Sequence, residues 1–249
     1  MHPIIVRSAR QAGLAILLAA SSALSAAALP TRPLPVRAVA DVTENDVTAS
    51  NKKVGSAYSA LVAMWSADFK QLGADFTAPS IVRYRGNVRS QCGILSANNA
   101  QYCAQVNAIF FDEVFVARQA KAAAQELGTD GDMAAVGIIA HEMGHAVAMQ
   151  LGQMSRIPYE NEAAADCLAG AFTQQSAKDG SLEKGDLEEA FFGLAAAGDP
   201  TPEFTGYERI DARIARRAAL MGHGTRDQRL ANFKAGYDKG PKACLAAFD

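Results

Sequence analysis

What the sequence has little of narrows its function first. Neither sign of charge is in excess: 24 Lys and Arg stand against 26 Asp and Glu, for a net charge of −2. That balance makes no electrostatic case for nucleic acid or an anionic membrane, and it points to a neutral or mixed-charge substrate. Long apolar runs are also missing. The best of them, residues 14–20, is short and is soon interrupted by Ser21, Ser22 and Ser25, which makes a poor membrane-spanning helix. Cysteine is absent near the N-terminus, the first being Cys92, so an acyl-anchored lipoprotein is not expected. No internal repeat is apparent, and only 4 histidines occur in 249 residues.

Arg7 and Arg10 lead into the apolar run, and Ala26 and Ala28 follow it. Residues 1–28 therefore read as a secretory signal, with an uncleaved anchor as the alternative. Residues 29–51, rich in Pro, Thr, Asp and Asn, read as a flexible linker, and residues 52–249 as one domain with a sizeable core. The expected protein is an exported monomer, periplasmic or secreted.

Cysteines 92, 103, 167 and 244 form an even set, which in an exported chain suggests two disulfides. Three connectivities are open. Pairing Cys92 with Cys103 closes a short loop, and pairing Cys167 with Cys244 ties the C-terminal tail to the core; this is the preferred scheme, with unpaired buried thiols as the competing one.

Apolar positions at spacings of three and four (Val54, Ala57, Tyr58, Leu61, Val62, Trp65, Phe69) predict a helix over 52–72. Residues 80–85 and 107–112 are short, β-branched or aromatic segments between turn-formers and predict strands. Beyond them the chain is rich in strong helix formers, predicting helices near 113–127, 131–151, 159–178, 185–197, 207–221 and 226–236. Asp130 or Asp132 can cap the second of these, and Gly152 and Pro158 bracket the turn after it. The fold class is α+β, predominantly helical.

Within the 131–151 helix lies His141-Glu142-Met143-Gly144-His145, the HExxH pattern. Residues four apart share a helix face, so both imidazoles can converge on one cation while Glu142 flanks it. Glu162 and Asp166 form ExxxD on the following helix, and a helical hairpin carries Glu162 toward the histidines. Two imidazoles and a carboxylate leave the fourth position of a tetrahedral zinc ion for water, the composition of a catalytic site. Asp166 can accept the free N–H of a ligating histidine. Zinc lowers the pKa of its water toward about 7, and Glu142 can act as general base. A second donor for the oxyanion is expected at His223, with Tyr159 and Tyr207 behind it. An incidental surface His and Glu, or Cys167 as thiolate ligand in place of Glu162, are the competing readings.

The chain resembles the bacterial putative neutral zinc metallopeptidase family over roughly residues 91–249. QCG at 91–93, YC at 102–103, FFD at 110–112, AHEMGHAV at 140–147 and EAAADCLAG at 162–170 carry the resemblance; GDLEEA at 185–190, AAAGDP at 195–200 and GHGTRDQR at 222–229 continue it in the family's order. The resemblance implies a zincin-like fold of gluzincin type with a small β-sheet packed against the HExxH helix. It also implies one Zn2+ per chain on His141, His145 and Glu162, catalysis by Glu142, a family-typical place for His223, and cysteine positions that favour the pairing above. Ala104 and Val106 depart from the usual Pro and Asp, and Ala-Leu-Met-Gly precedes His223 where Phe-Thr is more typical.

The expected activity is hydrolysis of peptide bonds in a peptide or protein substrate; the alternative is an envelope protein that binds zinc and uses the fold for assembly. Asn107 and Ala108, on the strand before the metal helix, are candidate substrate contacts by backbone pairing, against a buried strand that packs Ile109 and Phe111.

Overall fold

Helix α1 (Glu44–Gln71) begins at a capping box in which the Thr43 hydroxyl takes the Asp46 N–H and the Asp46 carboxylate takes the Thr43 N–H. This helix starts eight residues before the expected one, inside the segment read as linker. Its buried stripe of Val47, Ser50, Val54, Leu61, Trp65 and Phe69 extends the same apolar face toward the N-terminus. The structure, a computed structural model, describes residues 41–245; the expected signal and the linker up to residue 40 lie outside the described residues.

Five short strands follow. β1 (Ser80–Tyr84) pairs in parallel with β5 (Ala108–Asp112), and β4 (Ala100–Cys103) pairs with the other side of β5 in antiparallel sense, giving the order β1-β5-β4. β2 (Val88–Ser90) and β3 (Gly93–Leu95) make a separate antiparallel pair. β5 is the middle strand, and its burial shows it: Ile109 and Phe111 sink into the core, and Asp112 ends it as the N-cap of α2 (Glu113–Leu127), taking the N–H groups of Val114 and Phe115.

The remaining helices are α3 (Asp132–Gln150), α4 (Pro158–Asp179), α5 (Asp186–Ala196), α6 (Glu208–Met221), α7 (Arg226–Lys239) and α8 (Pro241–Leu245). α3 is the centre of the molecule, packed by α1, α2, α4, α5 and the β4–β5 part of the sheet, and so is buried on every side from Met133 to Gly144 except at Ile138. A helix that is covered all round needs no polar face. Its N-cap is Gly131, which no side chain of its own segment satisfies. Neither Asp130 nor Asp132 caps it; buried Glu189 of α5 accepts the N–H groups of Gly131 and Met133 at 2.9 and 2.8 Å. The cap is tertiary, so local sequence did not reveal it.

Two close helix contacts set the geometry of the site. A Cβ on Gly144 would lie 2.9 Å from both the Cα and the carbonyl oxygen of Ala165, so α3 and α4 touch backbone to backbone. A Cβ on Gly236 would lie 1.7 Å from the carbonyl oxygen of Cys167, and one on Gly170 would lie 2.0 Å from that of Phe233; α4 and α7 are equally close.

Cys92 pairs with Cys103, linking the β2–β3 turn to the end of β4, and Cys167 pairs with Cys244, linking α4 to α8; the Cα separations are 6.2 and 5.4 Å, inside the range for disulfides. No described helix is long and apolar enough to cross a membrane. The second bridge closes a loop with a sequence separation of 77 residues, so replacing Cys167 and Cys244 together by Ala is expected to lower the unfolding free energy by about 4 kcal/mol. Urea denaturation checks this; an unchanged midpoint would contradict it.

Candidate metal centre

One turn of α3 and the first turns of α4 bring three side chains together. Glu162 Oε2 lies 3.2 Å from His141 Nε2, and Glu162 Oε1 lies 3.5 Å from His145 Nε2. The two imidazoles stand edge to face, with ring centroids 4.7 Å apart. One ligand atom from each of the three residues falls within 4.8 Å of the others, a spacing that can hold a metal ion. Glu162 Oε2 is buried and has no hydrogen-bond partner of its own. A carboxylate that sets one oxygen against each of two imidazole nitrogens suits a borderline cation such as zinc, whose ligands are drawn from this donor set.

Behind the ligand atoms sits a second layer. His141 Nδ1 meets Asp166 Oδ1 at 2.8 Å. Asp166 has no exposure, and Arg229 of α7 grips it with two bonds, Nε to Oδ2 at 3.0 Å and Nη2 to Oδ1 at 2.7 Å. A third guanidinium nitrogen donates to the carbonyl of Ala197 at 3.1 Å. A buried carboxylate needs such pairing, since an unpaired charge in the interior costs several kcal/mol. The Asp166 oxygen receives the Nδ1 side of His141, which turns Nε2 toward Glu162.

The charges in the cluster divide unequally. Burial works against a charged His141, but the Asp166 and Glu162 carboxylates outweigh it and lift its pKa to about 10. His145 goes the other way: burial and the charge of His141 push it down to about 4. For Glu162, burial favours the neutral acid, yet bonding and attraction to the histidines pull it down to about 2. The pocket thus favours one positive charge between the imidazoles and Glu162. Glu142 is raised above the usual carboxylate range, first by burial, and its Oε2 accepts the backbone N–H of Tyr102 in β4 at 2.7 Å.

These groups open on a cavity of about 680 Å³, lined among others by Ala100, Gln101, Tyr102, His141, Glu142, His145, Glu162 and His223. His223 is at the rim and mostly exposed, with Nδ1 3.7 Å from Asp199. Asp199 Oδ2 takes the N–H groups of His223 and Gly224. Tyr159 packs beneath Gly224, whereas Tyr207 is exposed at the start of α6; neither is among the residues that line the cavity.

Asn107 and Ala108 are not placed for substrate contact. Ala108 belongs to the middle strand and is paired on both sides, to Ser80 and to Cys103. Asn107, in the turn before it, spends its amide on the carbonyl of Thr77 and takes the Tyr102 hydroxyl. The open edge beside the metal helix is β4 instead. Since the Tyr102 N–H points away from β5, alternation along the strand turns the N–H and C=O of Ala100 and the C=O of Tyr102 the same way. Cys167, bonded to Cys244, has no thiolate to offer a metal.

Removal of Glu162 or of its neighbour's support should be measurable directly. Glu162→Ala is expected to lose stoichiometric zinc, and Asp166→Asn to weaken zinc binding about 10–100-fold, both read by equilibrium dialysis with metal analysis. Full zinc content in Glu162→Ala would contradict the ligand set.

Comparison with known proteins points to a zinc peptidase family. The family model described as "Putative neutral zinc metallopeptidase" matches residues 37–248. The chain is 32% identical over 202 residues to "Uncharacterized protein YpfJ" of Escherichia coli (strain K12), a match covering 74% of this chain and 66% of that protein. It is 28% identical over 203 residues to "Uncharacterized protein Rv2575" of Mycobacterium tuberculosis (strain ATCC 25618 / H37Rv), covering 72% and 65%. The chain thus spans a little under two thirds of the length of these curated relatives. No solved structure matches. Matched across the whole span of its described residues, the chain belongs to the putative neutral zinc metallopeptidase family.

Proposed function

We propose that this chain is an exported peptidase that hydrolyses peptide bonds at a zinc ion held by His141, His145 and Glu162, with Glu142 as general base. The observation that carries the reading is the convergence of those three side chains beside Glu142 at the wall of one open cavity. When bound, zinc supplies Lewis-acid polarisation of the scissile carbonyl and a water whose pKa falls to about 7.

The chain's own residues do the rest. Glu142 is held by one oxygen on the Tyr102 N–H, which leaves Oε1 to take the proton of the attacking water and later to pass it to the leaving amine. The rise in its pKa, caused first by burial, brings it nearer to the range in which a carboxylate can both accept and return a proton. Asp166 and Arg229 keep His141 in the tautomer that presents Nε2. The backbone groups of Ala100 and Tyr102 hold an extended peptide along the free edge of β4, so the expected substrates are unfolded segments. His223, pinned at the rim by Asp199, donates to the oxyanion of the tetrahedral intermediate.

Export to the periplasm or the medium is supported by the two cysteine pairs, which persist in oxidising compartments.

In Glu142→Ala, hydrolysis of an unfolded protein is expected to fall by about 10²–10⁴-fold with zinc retained. His223→Ala should lower kcat by about 10²-fold, with KM little changed. If wild type and Glu142→Ala are equally inert across a broad peptide library, the protein binds zinc without turnover and the reading fails.

A further inference from the structure

A second cluster of metal-type side chains lies nine residues before His141, at the opposite end of the first half of α3. Asp130 and Asp132 flank Gly131 where α3 begins, and Asp186 and Glu189 come from the first turn of α5; one oxygen from each falls within 4.8 Å of the others. Asp186 and Glu189 are 4% and 0% exposed.

The partners of these oxygens can be accounted for one at a time. Glu189 uses both of its oxygens on the N–H groups of Gly131 and Met133. Asp186 Oδ2 accepts the Glu183 N–H at 2.7 Å. Asp130 and Asp132 pair with Lys53, whose side chain is about half exposed. Asp186 Oδ1 is left over: it is buried and has no hydrogen-bond partner. So is the hydroxyl of Thr129, beside Asp130 and packed against Gly185. A buried carboxylate oxygen without a donor carries the full cost of its desolvation, and four carboxylates this close, of which only Asp130 and Asp132 pair with an ammonium group, repel one another.

We propose that Asp130, Asp132, Asp186 and Glu189 bind one calcium ion. Every donor is oxygen, which selects a hard cation and disfavours zinc. The donors come from a loop and two helix starts, an irregular set that suits calcium, which accepts 6–8 oxygens in flexible geometry; magnesium demands a near-ideal octahedron and keeps its waters. Lys53 has room in solvent to swing aside. The ion gives Asp186 Oδ1 the partner it lacks and clips the α2–α3 loop to α5. The clipped elements are the start of the helix that carries His141 and the helix whose Ala190, Gly193 and Leu194 line the cavity. The site acts on stability and takes no part in the chemistry.

Titration of the zinc-supplemented protein with CaCl2 by calorimetry, with Tm measured alongside, tests this. One Ca2+ per chain is expected, with Tm rising by roughly 5 °C at saturation. Asp130→Asn changes an exposed position and leaves the fold intact; it should weaken calcium binding at least about tenfold with zinc content unchanged, and Asp186→Asn should abolish it. No calcium response in the wild type, or an undiminished response in Asp130→Asn, overturns the site. An equal or larger response to MgCl2 overturns the assignment to calcium.

Discussion

The buried carboxylate of Asp166 is the point on which the whole site depends. It sits on α4, takes the Nδ1 side of His141 on α3, and is gripped twice by Arg229 on α7, so one side chain ties three helices at the place where the metal ligands meet. A carboxylate with no exposure is tolerable only because a guanidinium neutralises it in a two-bond grip. That pairing in turn requires α7 to approach α4 to within backbone contact, which the glycines at 170 and 236 allow. Helix-former content alone would not place a glycine in the middle of α4 or near the end of α7; the close crossing does.

The same arrangement explains why the two histidines of one motif behave differently. His141 has Asp166 behind it and Glu162 in front, and is drawn toward the charged form; His145 has burial and His141 against it, and stays neutral. An HExxH helix by itself would make the two imidazoles nearly equivalent. The next helix breaks the symmetry by giving one of them a carboxylate on each side. Glu142 has its own anchor, the Tyr102 N–H of the sheet, so the base is steadied by β4 while His141 is steadied by α4 and α7.

Much of this could be read along the chain. HExxH and ExxxD are local patterns at fixed spacing, and the hairpin that joins them is signalled by Gly152 and Pro158; the six helices α2 to α7 fall within about three residues of their expected ends because α-helix periodicity is also local, whereas the five-residue α8 is too short to show a period. The parts that were not legible depend on distant pairs. Arg229 looks like one more cation on a polar helix until α7 is laid against α4. Glu189 caps α3 from 56 residues away. Strands β2, β3 and β4 have three or four residues each, too few for a period-2 pattern to emerge, and without β4 the sequence does not show that Ala108 is paired on both sides. The early start of α1 is a different case, since its Thr-x-x-Asp box was present in the sequence and its many turn-forming residues concealed it.

If two imidazoles and one carboxylate form the metal site, the shell around the ion is fixed by chemistry and can be seen without any assay of turnover. X-ray absorption at the zinc edge on the purified, zinc-loaded protein reads that shell directly. The account predicts the multiple-scattering signature of two imidazoles, with nitrogen and oxygen ligands at about 2.0–2.2 Å and no sulfur. A sulfur shell near about 2.3 Å, or the absence of paired imidazole scattering, would contradict it.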